Sequence, residues 1–221
     1  GQESPRGLAI DATHVYWTTS SPTGAVKKVA KGGGAETALA TGQNDPRRVA
    51  VDGANVYWSN YQGGVVQQMP KGGGSALMLA SGQHNPYGLA AGATDVYWVN
   101  LNGGNALMRV PIGGGAAALL VTNNGGGSDV VLDAKRAYFT TTPGSVLSFD
   151  LTGGTQSTIA SLPTGPLSID VDATDVYFSD YFNGNVFKAP KAGGGEAVAL
   201  ASGLGGSSAD GLAIDATHVY W

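Results

Sequence analysis

Apolar and polar residues alternate along this chain in short runs of four to seven, each closed by glycine, asparagine, aspartate or proline. Alternation with a period of two sends successive side chains to opposite faces of an extended backbone, so the runs predict β-strands, and none is long enough for a helix. The pattern repeats. A triplet VYW or a close variant ends at Trp17, Trp58, Trp98, Phe139, Phe178 and Trp221, at intervals of 39 to 43 residues. A second fixed element opens each unit: LAID at Leu8 to Asp11, VAVD at Val49 to Asp52, LAAG at Leu89 to Gly92, VVLD at Val130 to Asp133, IDVD at Ile169 to Asp172 and LAID at Leu212 to Asp215. After the aromatic come a short polar loop, an alternating run such as GAVKKVA (Gly24 to Ala30), a glycine cluster and a last apolar run such as ETALATG. Each unit therefore reads as four strands joined by turns, a four-stranded antiparallel meander.

A lone meander of this size buries neither face and leaves two open edges, so it must stack on its neighbours. Radial stacking of such sheets gives a β-propeller, whose blades usually take 40 to 45 residues, and a linear solenoid is the alternative. The expected fold is all-β: one propeller domain over 1–221, with repeats of about 41 residues near 5–45, 46–85, 86–127, 128–165 and 166–209 and a partial sixth at 210–221. Three closures are open: a five-bladed ring with a surplus hairpin, a six-bladed ring with a thin last blade, and an array completed by another chain.

Composition narrows the function. Thirty-six glycines with 42% apolar and only 13% charged residues suit strands and turns rather than helices or disorder. A formal charge of −4 and a pI near 5.2 give no basic face for nucleic acid. No apolar window is long enough for a membrane-spanning helix, and GQESP at the start is neither basic nor apolar enough for a signal peptide, which reads as a mature or trimmed chain. Without cysteine there are no disulfides, thiolate metal sites or thiol nucleophiles. Low charge with abundant Thr, Ser, Asn and Gly suits an extracytoplasmic or secreted bacterial protein.

Most recurring residues have a structural explanation. Trp17, Trp58, Trp98 and Trp221 are expected to fill the space between blades. The glycine clusters at 32–34, 72–74, 113–115 and 193–195 lack the Lys-Ser/Thr pair and helix of a phosphate loop and read as hairpin turns. Asp11, Asp52, Asp133, Asp172 and Asp215 read as turn-formers after the innermost strand. His14, His84 and His218 show no metal spacing, and no nucleophile elbow or Ser-His-Asp order is present.

Function should sit where repeats depart from one another, at the channel mouth formed by loops leading into the innermost strand and loops following the second strand. Arg6, Arg47, Arg48, Tyr87, Asp129 and Asp210 vary at the first of these, and Asp170 replaces an Ala or Val of the other repeats. Asn60, Asn100 and Asp180 align after the second strand and offer oxygen atoms to a hard cation such as calcium. Two readings follow: a polar mouth in which Arg47 or Arg48 pairs with Asp129 or Asp170, and a divalent-metal site formed by Asn60, Asn100, Asp170, Asp180 and Asp210.

The segments PRGLAIDATHVYWTT (5–19), PRRVAVDGANVYWSN (46–60), PYGLAAGATDVYWVN (86–100) and PLSIDVDATDVYFSD (166–180) resemble the YWTD and NHL propeller repeats, over essentially the whole chain. The resemblance implies a propeller of about six blades and is neutral on activity. ADGLAID (209–215) is similar to the Pro-Asp-Gly segment of gluconolactonase-like propellers, which implies a metal ligand role for Asp210. That family's ligand Glu has no counterpart, since Glu3, Glu36 and Glu196 lie in the terminus and beside turns.

Finally, Gly211–Trp221 repeats Gly7–Trp17 at every position, which suggests a recent or engineered duplication and self-association through the chain termini. The expected function is a non-catalytic scaffold binding a protein or small molecule at its mouth, in a natural, truncated or engineered repeat protein. A metal-dependent gluconolactonase-like hydrolase is the alternative.

Overall fold

The computed structural model describes residues 4–122, 125–203 and 211–221. Five repeats form complete four-stranded antiparallel sheets, each in simple chain order, and the sixth contributes a two-stranded hairpin. Blade 1 comprises β1 (Pro5–Ile10), β2 (His14–Thr19), β3 (Gly24–Ala30) and β4 (Thr37–Gln43), and blade 2 comprises β5 (Pro46–Val51), β6 (Asn55–Asn60), β7 (Val65–Pro70) and β8 (Leu77–Ala80). Blade 3 is β9 (Pro86–Ala91), β10 (Asp95–Asn100), β11 (Asn105–Pro111) and β12 (Ala118–Thr122), and blade 4 is β13 (Gly127–Leu132), β14 (Arg136–Thr141), β15 (Ser145–Asp150) and β16 (Gln156–Ser161). Blade 5 is β17 (Pro166–Val171), β18 (Asp175–Asp180), β19 (Val186–Pro190) and β20 (Val198–Ala201), followed by the hairpin β21 (Ala213–Ile214) and β22 (Val219–Tyr220). The innermost strands β1, β5, β9, β13, β17 and β21 pack side by side in chain order. The all-β propeller expectation is thus met, and no described helix is long and apolar enough to cross a membrane.

The recurring aspartate makes the turn after each innermost strand. Asp11 Oδ1 accepts the backbone N–H groups of Thr13 and His14, each at 2.8 Å, while Oδ2 accepts the Tyr16 hydroxyl at 2.9 Å. The same Tyr-to-Asp bond recurs at Tyr57–Asp52, Tyr138–Asp133, Tyr177–Asp172 and Tyr220–Asp215. A lysine at the glycine turn of the next blade completes the motif: Lys71 Nζ reaches Asp11 Oδ2 at 2.7 Å. Lys191 Nζ likewise reaches Asp133 Oδ2 at 2.9 Å. Burial works against the Asp133 charge, but Lys191, two backbone N–H groups and the Tyr138 hydroxyl outweigh it and bring that carboxyl to about 2.

At the other end of each innermost strand the ladder slips. The register to the second strand skips between Pro5 and Leu8, Pro46 and Val49, Gly127 and Val130, and Pro166 and Ile169. The slip lifts two residues out of the ladder, as β-bulges do. A second-strand hydroxyl takes up the freed backbone groups. Thr18 Oγ1 accepts the Gly7 N–H at 2.9 Å and donates to the Arg47 carbonyl of the next blade at 3.1 Å. Ser59 and Thr140 bridge their own blade to Tyr87 and Leu167 of the next in the same way. Blade 3 carries Val99 instead, and glycine at 127 makes room for it, because a Cβ there would stand 2.7 Å from the Val99 Cβ.

Four apolar cores lie between the five sheets. Tyr16 and Val26 of blade 1 meet Val49, Val56, Trp58 and Met69 of blade 2. Tyr57 and Val66 meet Leu89, Val96 and Trp98. Tyr97 and Leu107 meet Val130 and Phe139, and Tyr138 and Val146 meet Ile169, Val176 and Phe178. At each of these interfaces a Tyr face of one blade meets a Trp or Phe face of the next. Trp58 and Trp98 are fully buried, and their indole N–H groups donate to Gln43 Oε1 at 2.9 Å and Gln83 Oε1 at 3.1 Å from the preceding blade.

Trp17 and Trp221 depart from the expected core role. Trp17 is only half-buried, because no described sheet covers its face of blade 1, and Trp221 is 56% exposed.

Candidate functional site at the channel mouth

The bulges aim residues at one mouth of the propeller. A pocket of about 370 Å³ lies there, between blades 2 and 5. Arg47, Tyr87, Ser128, Pro166 and Leu167 line it from the starts of innermost strands, and Tyr61, Leu101, Thr142, Tyr181 and Phe182 line it from loops after second strands. The lining contains four aromatic rings and two leucines, with hydroxyls from Ser128 and Thr142 and one guanidinium.

Arg47 organises the polar corner. Its Nη2 donates to Asp45 Oδ2 at 2.9 Å, and Asp45 also accepts the Ser20 hydroxyl. Asp45 holds a left-handed backbone conformation, φ 59°, which a short polar side chain tolerates better than most. The guanidinium carbon lies 5.0 Å from the Tyr61 ring centre and 5.9 Å from that of Tyr87, within cation–π range of both. Those two rings meet edge to face at 6.0 Å. Arg47 Nε is buried and finds no hydrogen-bond partner among the described residues.

Beneath this corner is a charged layer. The Arg48 guanidinium carbon sits 5.3 Å from the Tyr87 ring centre, with its Nε 3.8 Å from Asp129 Oδ1. Burial pushes the Asp129 carboxyl up, against the opposing effects of Arg48, the Ser168 hydroxyl and backbone N–H groups. Asp170 is also pushed up by burial and, to a smaller degree, by the Asp129 charge, while the N–H groups of Val171 and Ile214 favour its ionised form. The Ile214 bond, 3.1 Å to Asp170 Oδ2, explains this unusual carboxylate, which ties the β21–β22 hairpin to blade 5.

The remaining expected residues have other surroundings. Arg6 is exposed and does not line the pocket. Asn60 Nδ2 donates to Gln43 and Gln67, and Asn100 Nδ2 donates to Gln83, so both brace the indole clamps between blades. Asp180 accepts the Phe182 N–H and the Asn183 side-chain amide, shaping the loop that carries Tyr181 and Phe182. Asp210 lies outside the described residues. Among the described residues no three His, Cys, Asp or Glu side chains form a group able to hold a metal ion.

Sequence reasoning located Arg47 and Tyr87 but passed over Tyr61, Leu101, Thr142, Tyr181 and Phe182. The signal was present in NYQGG and DYFNG, where aromatic residues stand after the second strand while other repeats have serine, leucine or threonine.

The blade architecture is that of a β-propeller. No protein-family model and no curated protein matches the sequence. Among solved structures, the chain is similar to one from the nidogen/laminin complex, at 19% identity and TM-score 0.76, covering 86% of this chain and 77% of that one. It is also similar to selenomethionine-substituted virginiamycin B lyase from Staphylococcus aureus, at 17% identity and TM-score 0.75, covering 89% and 69% of the two chains. A computationally designed protein aligns at 15% identity and TM-score 0.73 over 97% of this chain and 66% of its own.

Proposed function

We propose that the chain is a non-catalytic binding scaffold whose mouth pocket takes an apolar ring bearing a hydrogen-bond acceptor. The observation that carries this reading is Arg47: a guanidinium set against Tyr61 and Tyr87 at the edge of an aromatic pocket, with 20% of its side-chain surface accessible. An acceptor on the ligand would pair with the accessible part of that guanidinium while the ring packs against Tyr87, Leu167, Tyr181 and Phe182. The lining is mostly aromatic and aliphatic, with one guanidinium and a few hydroxyls as its polar groups, which suits binding of an apolar ring.

The test uses 1-naphthoate as probe, followed by calorimetry. Wild-type protein should bind it, Arg47→Ala and Tyr87→Ala should each weaken binding about tenfold, or ~1.4 kcal/mol, and the remote Leu8→Asp variant should bind normally. Absence of wild-type binding, or equal binding by the Arg47 and Tyr87 variants, would overturn the proposal.

A further inference from the structure

A second depression, of about 570 Å³, adjoins the aromatic pocket on the same mouth, between blades 1 and 2. Ser20, Ser21 and Pro22 line it from the loop after β2, Asn44 and Asp45 from the residues leading into β5, and Gln62 from the loop after β6. The two hollows share walls. Asp45 on this side is bonded to Arg47 on the other at 2.9 Å, and Gln62 follows Tyr61 in the chain. Their chemistry is opposite: rings and leucines dominate the first, whereas hydroxyls, carboxamides and one carboxylate dominate the second.

The next pair of blades shows why the amides here are available. There Asn85, Asn102 and His84 hold the places of Asp45, Gln62 and Asn44. Asn102 Nδ2 donates to Asn85 Oδ1 at 2.8 Å, and Asn85 Nδ2 donates to the Tyr61 carbonyl at 3.1 Å. The His84 ring lies against Gly103, where a Cβ would stand 2.7 Å from its Cγ. Between blades 1 and 2 the Asp45 carboxylate is instead engaged by Arg47 and the Ser20 hydroxyl. Asn44 and Gln62 are exposed, and their carboxamides make no hydrogen bond among the described residues.

Such a lining selects a neutral, hydroxyl-rich group. Each carboxamide offers two N–H donors and a carbonyl acceptor, and Ser21 Oγ, which accepts the Thr23 N–H at 3.3 Å, keeps its proton to donate. A sugar hydroxyl both donates and accepts, so it pairs with either end of an amide. Among the described residues no Lys, Arg or His lines the depression to favour a phosphate or carboxylate, and its one carboxylate is already answered by Arg47.

We infer that the ligand of this mouth is an aromatic ring joined through an oxygen to a neutral polyhydroxylated group, as in an aryl glycoside. This rests on the aromatic pocket being a binding site. The ring occupies that pocket, the linking oxygen accepts from Arg47, and the hydroxyls reach Asn44, Gln62 and Ser21.

Calorimetry compares 1-naphthoate with 1-naphthyl methyl ether, which has only the ring and the linking oxygen, and with 1-naphthyl β-D-glucoside. The glucoside should bind about tenfold more tightly than the ether, the increment of roughly two net hydrogen bonds. Asn44→Ala and Gln62→Ala alter exposed side chains. Each should weaken the glucoside about threefold, and the double variant should bring it to the level of the ether, with 1-naphthoate and ether affinities unchanged. Equal affinity for glucoside and ether, with 1-naphthoate still bound, would overturn this inference and leave the pocket reading standing, whereas no binding of any probe would overturn both. A glucoside increment untouched by the two variants would also overturn it. So would a naphthylalanine amide that gains as much and loses it in the same variants, since the occupant would then be a peptide.

Discussion

Trp58 and Trp221 hold the same place in their repeats but stand in opposite environments, and replacing each by alanine measures what blade stacking contributes. Trp58 is fully enclosed between blades 1 and 2, whereas Trp221 is 56% exposed. Burying an indole removes roughly 200 Å² or more of apolar surface from water, worth about 5 kcal/mol at ~25 cal/mol per Å². A partly collapsed unfolded state trims that figure, so Trp58→Ala should cost about 3 to 5 kcal/mol. The indole N–H bond to Gln43 contributes about 1 kcal/mol of this. Its loss strands no acceptor, because Gln43 Oε1 still receives the Asn60 side-chain amide at 2.8 Å. Trp58→Phe isolates that bond with a smaller cavity and should cost roughly 1 to 2 kcal/mol. Trp221→Ala should cost less than about 1 kcal/mol. For a chain of this length each kcal/mol lowers Tm by roughly 2 to 4 °C, so calorimetry should show Trp58→Ala melting about 6 to 20 °C below wild type. Equal Tm losses in Trp58→Ala and Trp221→Ala would refute the stacking argument.

Three further outcomes follow from the geometry. Gly88→Ala should destabilise by about 1 to 3 kcal/mol in urea melts, because its Cβ would stand 2.4 Å from the Asp129 Cα, whereas Gly32→Ala, with nothing within 4 Å, should be neutral or slightly stabilising. Asp133 has a folded pKa near 2, below its unfolded value of 3.8, so its stabilisation is present above about pH 4 and is lost as pH falls towards 2; Asp133→Asn should flatten the stability profile in that window, and an unchanged profile would contradict the Lys191 and Tyr138 contacts. EDTA followed by calcium should leave Tm unchanged, since saturation at 100 times the dissociation constant would add about 2.7 kcal/mol and raise Tm by roughly 5 to 11 °C, a shift that would favour the metal reading over the scaffold.

The blade architecture was legible because it is written six times. Period-two alternation marks the strands, and the spacing of Trp17, Trp58, Trp98, Phe139 and Phe178 counts the sheets. The Asp turns were legible for the same reason, since Asp11 and its equivalents use local chemistry within five residues of their partners. The site was less legible because it joins residues from four blades. Arg47 and Tyr87 announced themselves by breaking the consensus, but their partner Tyr61 lies in a loop whose alignment is looser. Asp170 was noticed as an odd carboxylate, yet its bond to the Ile214 N–H depends on how the next hairpin docks, which a local pattern does not record. Trp17 and Trp221 read as core because repeat sequence encodes a face and leaves open whether a neighbour covers it.

The most direct test of the binding account is a ¹⁵N chemical-shift map of the protein titrated with 1-naphthoate. Saturable shifts are predicted at Arg47, Tyr61, Tyr87, Ser128, Leu167, Tyr181 and Phe182, with the Asp11, Asp52, Asp133 and Asp172 turns at the opposite mouth unmoved. Shifts centred on those turns or on the Leu8 and Trp17 face, with the Arg47 pocket silent, would contradict it.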